Sequence, residues 1–539
     1  MKKTGFGGVF VRKIVSFIVL LICFTYLVGC SGTGIELEPQ AETPSQPLVY
    51  ESVTEYGHIQ INGKASAEIT DGVLKVSCDP EETLTDVTVD GRRIWLTDRE
   101  YSLGNSDKNT VIQIQTKPKP KQATSQEVSS IVLTYYGAGK NSYAVTWHTS
   151  KRDCPSMGIR KQGQDLEKKI TGYCDDANFD YVNRAVAYDL DADCKYVYTL
   201  YNMDGQPCYS ASFNTASYDP NGVTLMHISD TQDELYGGTV WAELMENALQ
   251  KTDNIDMILH TGDIVQHGGT ESEWAQMLKN VEPYVTTIPL TLTSGNHSYW
   301  PDYKGNASRI EYNHITMDFP VADYANGLYY SYDYGVYYSY DYADVHVTVL
   351  SSGDSDTVGV SLPQREWLKK DLASTGKKWK IVLIHNPVYS CGRYGSVSPE
   401  NQIAQIQQQT LGTIFNEYNV DLVLQGHDHV FGLTYPMDEN RTPLVCETQK
   451  QVQNDQQVLY YINPEAPVYL MSGAGGSQSR SVSEQYTKEW YQYASSVSSN
   501  TAGYSLITVT SDRLTATYYT YDYVQNLQTS SYSWGIIKE

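Results

Sequence analysis

Five polar clusters in the chain each begin where an apolar, strand-like run ends, and each offers Asp, Asn or His side chains. The clusters are residues 229–232, 262–267, 295–298, 385–387 and 426–429. In α/β sheets, ligands bind beyond the carboxyl ends of the strands, so all five clusters can meet at one edge. One such cluster is an ordinary turn, but five are hard to explain by topology alone. The pattern therefore predicts one shared site.

The last of these clusters contains two histidines, His427 and His429. Gly426 lets the backbone turn sharply after the apolar run 420–424, and residues two apart in an extended chain face the same side. Two imidazoles so placed can begin a metal centre. An isolated His-x-His pair is more often a surface turn or a satisfied polar pair. The metal interpretation therefore depends on the other four clusters.

The part of the chain that carries the clusters alternates between strand-like and helical patterns. Apolar residues recur at helical spacing over 240–251, 364–373 and about 401–418. Thr270 and Glu273 have the spacing of a capping box, which predicts the start of a further helix. Alternating strands and helices favour a largely buried sheet flanked by helices. We therefore expect an α/β domain over residues 219–539.

The chain before this domain has strand signals only. Short alternating segments with Asp-Gly turns predict a small β domain over residues 49–122. About seven short strands within residues 123–218 favour a β-sandwich, in which Trp147 is most simply a core residue. Lys and Pro alternate over 117–121, which indicates a stiff linker between the two.

Composition excludes several classes of function. At 539 residues the chain is too long for one ordinary domain. The net charge of −24 argues against a nucleic-acid partner, because a phosphate backbone would repel the protein. The sequence has no Cys-x-x-Cys pair, so neither a thiolate zinc site nor a thioredoxin-type redox motif is supported.

The N-terminus has the outline of a secretory signal, with a basic start and an apolar run over 14–24. An uncleaved membrane anchor is the alternative, but this run is short for a bilayer core of about 30 Å. Residues 27–30, Leu-Val-Gly-Cys, also resemble a bacterial lipoprotein box. We therefore expect a lipoprotein signal peptide over 1–29, a tether over 30–48, and a location on the extracellular face of the cell membrane, lipid-anchored at Cys30.

Export permits disulfides, but their connectivity cannot be read from the sequence. The loops at about 388–400 and 432–466 follow the last two clusters, so we expect them to overhang the site and select the substrate. Cys391 and Cys446 fall one in each loop. A disulfide that joins the two loops is therefore a hypothesis.

The clusters resemble those of the calcineurin-like metallophosphoesterase family, which includes the purple acid phosphatases, over residues 222–480. The sandwich before them resembles the fibronectin-type-III-like domain that precedes the catalytic domain in purple acid phosphatases. The resemblance implies a multidomain fold. N-terminal all-β domains, one a fibronectin-III-like β-sandwich, would be followed by an α/β four-layer αββα metallophosphoesterase sandwich.

Carried over motif by motif, the resemblance implies two sets of metal ligands that share one bridging carboxylate. The first set is Asp230, Asp263 and His429, and the second is Asp263, Asn296, His385 and His427. Gln232 stands where the family often has His, and it is retained as a weaker, neutral candidate ligand. Mixed oxygen and imidazole ligands suit two divalent or mixed-valence ions of Fe, Mn or Zn.

Such a centre hydrolyses phosphate esters through a metal-activated hydroxide, while the metals neutralise charge on the phosphoryl oxygens. In this reading Asp263 and His297 are the catalytic residues, because Asp263 bridges the metals and His297, beside Asn296, can protonate the leaving oxygen. We therefore expect a surface-anchored hydrolase of small phosphate esters. A phosphomonoesterase is favoured, and a phosphodiesterase with the same site is the alternative.

Three positions depart from the family pattern. Gln232 replaces His, Gln266 replaces the metal-bound tyrosinate of the purple enzymes, and Ser298 replaces an acidic residue. These departures support a rival from another class, a non-catalytic cell-surface or glycan-binding protein with a degenerate metal domain. Its β domains and the tyrosine repeats at 329–334 and 337–342 would then contact the cell wall. Retention of the implied ligands favours the enzyme.

Overall fold

The computed structural model describes most of the chain after residue 48. The described residues are 49–54, 56–78, 82–93, 100–104, 109–118, 128–137, 141–152, 156–176, 180–217, 222–233, 237–252, 254–299, 313–317, 337–352, 359–393, 402–453, 456–478, 480–482, 490–497 and 500–539. The predicted signal peptide, Cys30, the tether and the tyrosine repeat at 329–334 lie outside these residues. Within them, no helix has the length and apolarity needed to cross a bilayer.

The first domain is a small β structure with its own apolar core. Its strands are β1 (Val49–Thr54), β2 (Gly57–Asn62), β3 (Ala65–Thr70), β4 (Val73–Cys78), β5 (Glu82–Val89), β6 (Arg92–Arg93), β7 (Glu100–Ser102) and β8 (Val111–Pro118). One sheet has the order β1-β2-β8-β5-β6 and the other β3-β4-β7. Alternate residues such as Ile59, Ile61, Ile112 and Ile114 are buried between them, which is the period of a half-buried strand.

The second domain is a β-sandwich. Its strands are β9 (Val128–Tyr135), β10 (Tyr143–Thr149), β11 (Ser156–Lys161), β12 (Lys168–Thr171), β13 (Tyr173–Asp176), β14 (Tyr181–Ala187), β15 (Lys195–Tyr201) and β16 (Pro207–Asn214). The two sheets have the orders β13-β14-β10-β9 and β12-β11-β15-β16. Trp147 is buried in a core that also contains Leu133 and Tyr198, so its predicted core role is confirmed.

The third domain combines two mixed sheets with helices. Its elements are β17 (Val223–Ile228), α1 (Thr239–Leu249), β18 (Met257–His260), α2 (Glu271–Val285), β19 (Leu290–Leu292), β20 (Tyr338–Tyr342), β21 (Val345–Val349), α3 (Leu362–Ser374), β22 (Trp379–Ile384), α4 (Gln402–Glu417), β23 (Leu422–Gln425), β24 (Phe431–Thr434), β25 (Thr448–Gln453), β26 (Gln456–Ile462), β27 (Val468–Ser472), β28 (Tyr491–Ser495), β29 (Thr501–Val509), β30 (Arg513–Asp522) and β31 (Leu527–Ile537). The first sheet has the order β19-β18-β17-β29-β30-β31-β26-β25, and the second β20-β21-β22-β23-β27-β24-β28.

The two sheets of the third domain pack against each other, and the helices cover their outer faces. Along β22, Ile381 and Leu383 belong to the core shared with β17 and β18. Val382 and Ile384 belong instead to the core beneath α3 and α4. Successive residues of a strand face opposite sides, so both faces of β22 are buried over residues 381–384, which are all apolar. The four-layer αββα architecture after all-β domains is therefore confirmed.

Two sequence predictions in this domain are wrong. Thr270 is the N-cap of α2, but its hydroxyl makes no cap bond. Glu273 instead accepts hydrogen bonds from the main-chain N–H of His267 at 2.9 Å and from its Nδ1 at 2.8 Å, so no capping box forms. Much of 432–466 is sheet, not an overhanging loop, because β25 and β26 form a hairpin and β26 pairs with β31.

An ion-pair cluster around the buried His346 links the second sheet to α3. His346 on β21 lies 2.8 Å from Asp341 on β20 and 3.0 Å from Asp371 on α3. Burial lowers the pKa of His346, but its hydrogen bonds to the two carboxylates outweigh this and raise the pKa to about 9. The histidine is charged in the folded protein well above its ordinary pKa of 6.5.

This cluster predicts a pH-dependent contribution to stability. His346 should stabilise the fold fully below about pH 6.5, and the contribution should be lost as pH rises through about 9. We expect His346→Gln to lower the free energy of unfolding by up to about 3 kcal/mol near pH 6 and by little above pH 9. Urea unfolding at both pH values measures the difference. Substitution of the exposed His58 by Gln is the control, and an equal loss from His346→Gln at both pH values would contradict the prediction.

Candidate metal centre

The predicted ligands follow strands of both sheets and meet at one rim. Asp230 follows β17, Asp263 follows β18, and Asn296 begins a short 3-10 helix after β19. These three strands are parallel neighbours, so their carboxyl ends lie side by side. His385 directly follows β22, while His427 and its neighbours follow β23 in the facing sheet. The shared site therefore lies where the two sheets end together.

The backbone of the rim is bent at the ligands themselves. Asp230, Asp263, His427 and His429 have φ values of 54°, 55°, 73° and 50°. Left-handed backbone is uncommon for residues with a Cβ, although Asp and His tolerate it better than most. Such conformations persist where the surrounding structure enforces them, and they concentrate at functional sites. These four left-handed residues direct their side chains into the site. Their backbone conformations lower the local stability.

Close backbone approach at the rim requires glycine at two positions. A Cβ on Gly295 would lie 2.1 Å from Oδ1 of Asp263, and a Cβ on Gly426 would lie 2.1 Å from Oγ of Ser229. Neither carbon can be accommodated without displacing a neighbouring side chain. The glycines therefore allow the clusters to pack against the carboxylates.

One group of side chains fits the first predicted cation. Nε2 of His429 lies 3.3 Å from Oδ1 of Asp230, and both residues are buried. The side-chain nitrogen of Gln232 can donate to the main-chain oxygens of Asp230, at 3.3 Å, and Asp263, at 2.8 Å. In this orientation the amide oxygen of Gln232 lies 3.5 Å from Nε2 of His429. In this orientation Gln232 directs an acceptor into the centre, as a neutral ligand would.

A second group of side chains fits the other cation. Nε2 of His385 lies 3.1 Å from Oδ2 of Asp263 and 3.2 Å from Oδ1 of Asn296. Donor atoms of Asp263, His385 and His427 all lie within 4.8 Å of one another. The rings of His385 and His427 meet edge to face, with centroids 5.1 Å apart. Asp263 thus stands beside the second set, and its main-chain oxygen is bonded to the Gln232 amide of the first.

The hydrogen bonds of the histidines show that these residues fit a cation. Nδ1 of His385 donates to the main-chain oxygen of Thr261 at 2.7 Å, which leaves Nε2 without a proton in the neutral ring. That nitrogen then faces only acceptors, Oδ2 of Asp263 and Oδ1 of Asn296. A proton on Nε2 or a metal ion between these atoms removes the repulsion. Nδ1 of His429 similarly donates to the main-chain oxygen of Gln478 at 3.3 Å, which leaves Nε2 toward Asp230.

Charge in the centre is balanced between carboxylates and imidazoles. Burial raises the pKa of Asp230, but His429 and His385 outweigh burial and lower the pKa to about 2. The pKa of Asp263 is also lowered, because His385 and His297 outweigh its burial. Burial and the neighbouring His385 lower the pKa of His427, so that ring is neutral. Asp263 and Asp230 in turn outweigh the burial of His385 and raise its pKa to about 9, so this ring carries a proton that a bound metal ion would displace.

The predicted catalytic residue His297 is held at the edge of the centre. Nδ1 of His297 donates to the main-chain oxygen of Gln266 at 2.7 Å, and its main-chain N–H donates to Oδ1 of Asp263 at 2.8 Å. Nε2 lies 3.9 Å from Oδ2 of Asp263. Ser298, which replaces the acidic residue of the family, accepts a hydrogen bond from the main-chain N–H of Gly295. The group that orients the His297 ring is therefore the main-chain carbonyl of Gln266.

Several residues that hold the site together were missed by sequence reasoning. Gln478 bonds His429 through its main-chain oxygen and Oε1 of Gln266 through Nε2, at 2.8 Å. Main-chain N–H groups of Gly475 and Gly476 donate to the oxygens of Ser229 and Asp230. The glycine-rich stretch 473–476 is the sequence signal that could have found these contacts, because glycine lets one backbone approach another closely.

The predicted link between Cys391 and Cys446 is wrong, because both are free thiols. Cys391 is buried beneath α4 in the core that contains Val430 and Met471, and its Sγ lies 3.6 Å from the main-chain oxygen of Phe431. Cys446 packs against the other core. Burial raises the pKa of both thiols, so neither is a reactive thiolate.

The profile of the family described as calcineurin-like phosphoesterase matches residues 223–431, which contain the five clusters. Residues 223–431 are a calcineurin-like phosphoesterase domain. The predicted family is therefore confirmed. The match begins at β17 and ends in β24, so the strands after residue 431 complete the sheets outside the matched segment.

Relatives of this chain carry purple acid phosphatase or acid phosphatase names. It is 27% identical over 291 residues to a protein of Arabidopsis thaliana named probable inactive purple acid phosphatase 27, covering 48% of this chain and 45% of the relative. It is 24% identical to human acid phosphatase type 7, covering 42% of this chain and 49% of the relative. The alignments span less than half the length of these two relatives.

Solved structures show the same fold over a larger part of the chain. Purple acid phosphatase PPD1 of yellow lupin, Lupinus luteus, superposes with a TM-score of 0.60 at 18% identity, covering 81% of this chain and 78% of that one. A structure of PhoD superposes with a TM-score of 0.54 at 13% identity, covering 77% and 95%. At sequence identities of 18% and 13%, these similarities are evidence for the fold alone.

The packing of Gly295 predicts a metal-binding defect. In Gly295→Ala the added Cβ must displace the Asp263 carboxylate, so we expect the affinity of the centre for Mn²⁺ to fall at least about tenfold. Equilibrium dialysis against Mn²⁺ measures the change. The control is Gly412→Ala, inside α4, where the nearest atom lies 3.9 Å from the new Cβ. This variant should bind Mn²⁺ normally and gain about 0.5–1 kcal/mol of stability. Unchanged binding by Gly295→Ala would contradict the prediction.

Proposed function

We propose that the phosphoesterase domain hydrolyses small phosphate esters at a dinuclear metal centre. The observation that carries the proposal is the gathering of buried and half-buried oxygen and imidazole donors at one rim. The donors are Asp230, Gln232, Asp263, Asn296, His385, His427 and His429. The donor set suits two ions of Fe, Mn or Zn rather than calcium, which binds oxygen alone.

Two bound cations supply an activated water nucleophile and neutralise the charge that grows on the phosphoryl group. The side chains of the protein position this chemistry. Asp263 lies beside the donors of the second set and is fixed by the main-chain N–H of His297. The bond from Nδ1 of His297 to Gln266 points Nε2 toward the centre, where a protonated ring can donate to the leaving oxygen.

A phosphomonoester is the substrate that we propose. Human acid phosphatase type 7 and the lupin structure both carry the name of a phosphatase, which supports this choice over a diester. The rival is the inactive binding protein, and some relatives are named as probably inactive. The departures at Gln232 and Ser298 are compensated here, because the amide can turn its oxygen inward and a carbonyl orients His297. The compensation supports a working site.

The decisive experiment compares the purified chain with Asp263→Asn on nitrophenyl monoesters and diesters, in the presence of Mn²⁺, Zn²⁺ or Fe²⁺. The amide lacks the negative charge that holds the cations, so we expect kcat to fall by at least about 10³-fold. Monoester hydrolysis should exceed diester hydrolysis in the wild type. Equal activity in mutant and wild type, or no activity with any metal, would favour the binding protein.

His297→Gln extends the same assay to the role of this histidine. A nitrophenolate leaves without a proton, whereas an alkoxide needs one. We expect kcat/KM for an alkyl phosphate to fall by about 10²–10⁴-fold and for nitrophenyl phosphate by much less. The control is His267→Gln, because His267 bonds Glu273 and no role in the reaction is assigned to it. Equal losses on both substrates would assign His297 to phosphate binding instead.

The proposed location is the extracellular face of the cell membrane, with a lipid on Cys30. The basic start, the apolar run 14–24 and the Leu-Val-Gly-Cys sequence support this proposal. We expect Cys30→Ala to move the protein from the membrane fraction to the soluble fraction, as judged by immunoblot. Cys23→Ala, a change in the same leader, should stay with the membrane. A Cys30→Ala protein that remains in the membrane would contradict the proposal.

A further inference from the structure

The strap, which we define as residues 475–478, follows β27 and lies against the turn that carries Asp230. The main-chain N–H of Gly476 donates to the main-chain oxygen of Asp230 at 3.0 Å, and a Cβ on Gly476 would lie 2.7 Å from the main-chain oxygen of Gln232. Both contacts require close backbone approach, so the strap is packed tightly there. The strap lies outside the segment 223–431 that matches the family profile, and the match therefore assigns it no role.

Gln478, the last residue of the strap, contacts two further clusters. Its main-chain oxygen accepts a hydrogen bond from Nδ1 of His429 at 3.3 Å. Its side-chain Nε2 donates to Oε1 of Gln266 at 2.8 Å. One residue thus connects the turn after β23 with the turn after β18.

Gln266 has the same pair of roles on the other side of this bond. Its side chain accepts the hydrogen bond from Gln478, and its main-chain oxygen accepts one from Nδ1 of His297 at 2.7 Å. Each glutamine therefore orients one histidine through its main chain and bonds the other glutamine through its side chain. A continuous path of hydrogen bonds thus runs from His297 through the two glutamines to His429.

The two main-chain oxygens can orient the histidines only as well as their own loops are fixed. Gln266 and Gln478 both lie in segments without regular secondary structure, and loops have more freedom to move than the strands they follow. A hydrogen bond between the two side chains restricts both loops at once. A displacement of about 1 Å at a reacting group can lower a rate about 10²-fold, so this restriction matters at His297.

We propose that the hydrogen bond between Gln266 and Gln478 positions His297 relative to His429 across the metal centre. His429 binds the first cation and His297 protonates the leaving oxygen in the proposed function, on which this inference rests. The two glutamines are positioning residues, because they act on the reaction through the two histidines. Loss of the bond should therefore weaken metal binding through His429 and proton transfer through His297.

The test is a double-mutant cycle with Gln266→Met, Gln478→Met and the variant that carries both changes. Methionine has nearly the length of glutamine but cannot replace the bond between the amides. Each single variant should bind Mn²⁺ roughly tenfold more weakly in equilibrium dialysis, because the oxygen that orients His429 is no longer held. The double variant should bind Mn²⁺ no more weakly than the single variants, since each of them already lacks the bond.

A second measurement separates positioning from a general loss of structure. At saturating Mn²⁺, we expect each single variant to lose about tenfold in kcat for an alkyl phosphate, with KM unchanged, and much less for nitrophenyl phosphate. The alkoxide needs the proton from His297, whereas the nitrophenolate leaves without one. A merely structural defect would lower kcat for both substrates equally.

The control is a pair of glutamines with the same kind of bond in the first domain. Nε2 of Gln113 on β8 donates to Oε1 of Gln60 on β2 at 3.1 Å. Gln113→Met should change neither the affinity for Mn²⁺ nor kcat. If Gln266→Met does not fold, Gln266→Ala takes its place in the cycle.

The outcomes distinguish this inference from the proposed function. Unchanged Mn²⁺ affinity in both single variants, losses that add in the double variant, or equal losses of kcat on both substrates would overturn the positioning role. A wild-type chain that binds Mn²⁺ but hydrolyses no ester would instead contradict the proposed function. The Mn²⁺ affinities of the cycle would then still decide whether the bond between the glutamines positions His429.

Discussion

Two buried carboxylates at one rim set the main constraint on this protein. Asp230 and Asp263 are almost completely removed from solvent, and ionised carboxylates are costly to bury unless positive charge lies beside them. The neighbouring imidazoles of His385 and His429 are fixed through Nδ1, so their other nitrogens face those carboxylates. The chain thus assembles a set of acceptors that needs positive charge between them, supplied by a proton on His385 or by bound cations. Both aspartates have left-handed backbone, which is a less stable conformation for residues with a Cβ, so the surrounding structure must enforce it.

The αββα sandwich explains how such an arrangement stays rigid. The ligands lie on turns, but each turn continues from a strand that is buried on both faces, as Ile381 to Ile384 illustrate. Close packing leaves those strands little freedom to shift. Main-chain groups then complete the site, because the carbonyls of Thr261, Gln266 and Gln478 orient three histidines. The N-terminal β-sandwich packs on the same domain through α2 and the segment 313–317, where His148 bonds the main-chain oxygen of Asn313.

Sequence reasoning succeeded where the signal is local. Apolar runs that end in polar clusters predicted the strands β17, β18, β22 and β23 and the side chains that converge after them. It failed where remote partners decide the outcome. Glu273 bonds His267 rather than completing a capping box, and residues 448–462 join a sheet through β31, whose own sequence gave no strand signal that we recognised. The histidines His148 and His314 showed no motif, because they come together only when two domains dock.

The sequence by itself determined the class of fold and the identity of the donor residues, because strand periodicity and the residues at strand ends are local properties. Tertiary structure decided which atom of each residue is used. The tautomers of His385 and His297 depend on carbonyls that lie more than thirty residues away along the chain, at Thr261 and Gln266. The orientation of the Gln232 amide depends in the same way on the main chain of Asp263. Contacts of this kind arise from the packing of one sheet against another, and no spacing along the chain encodes them.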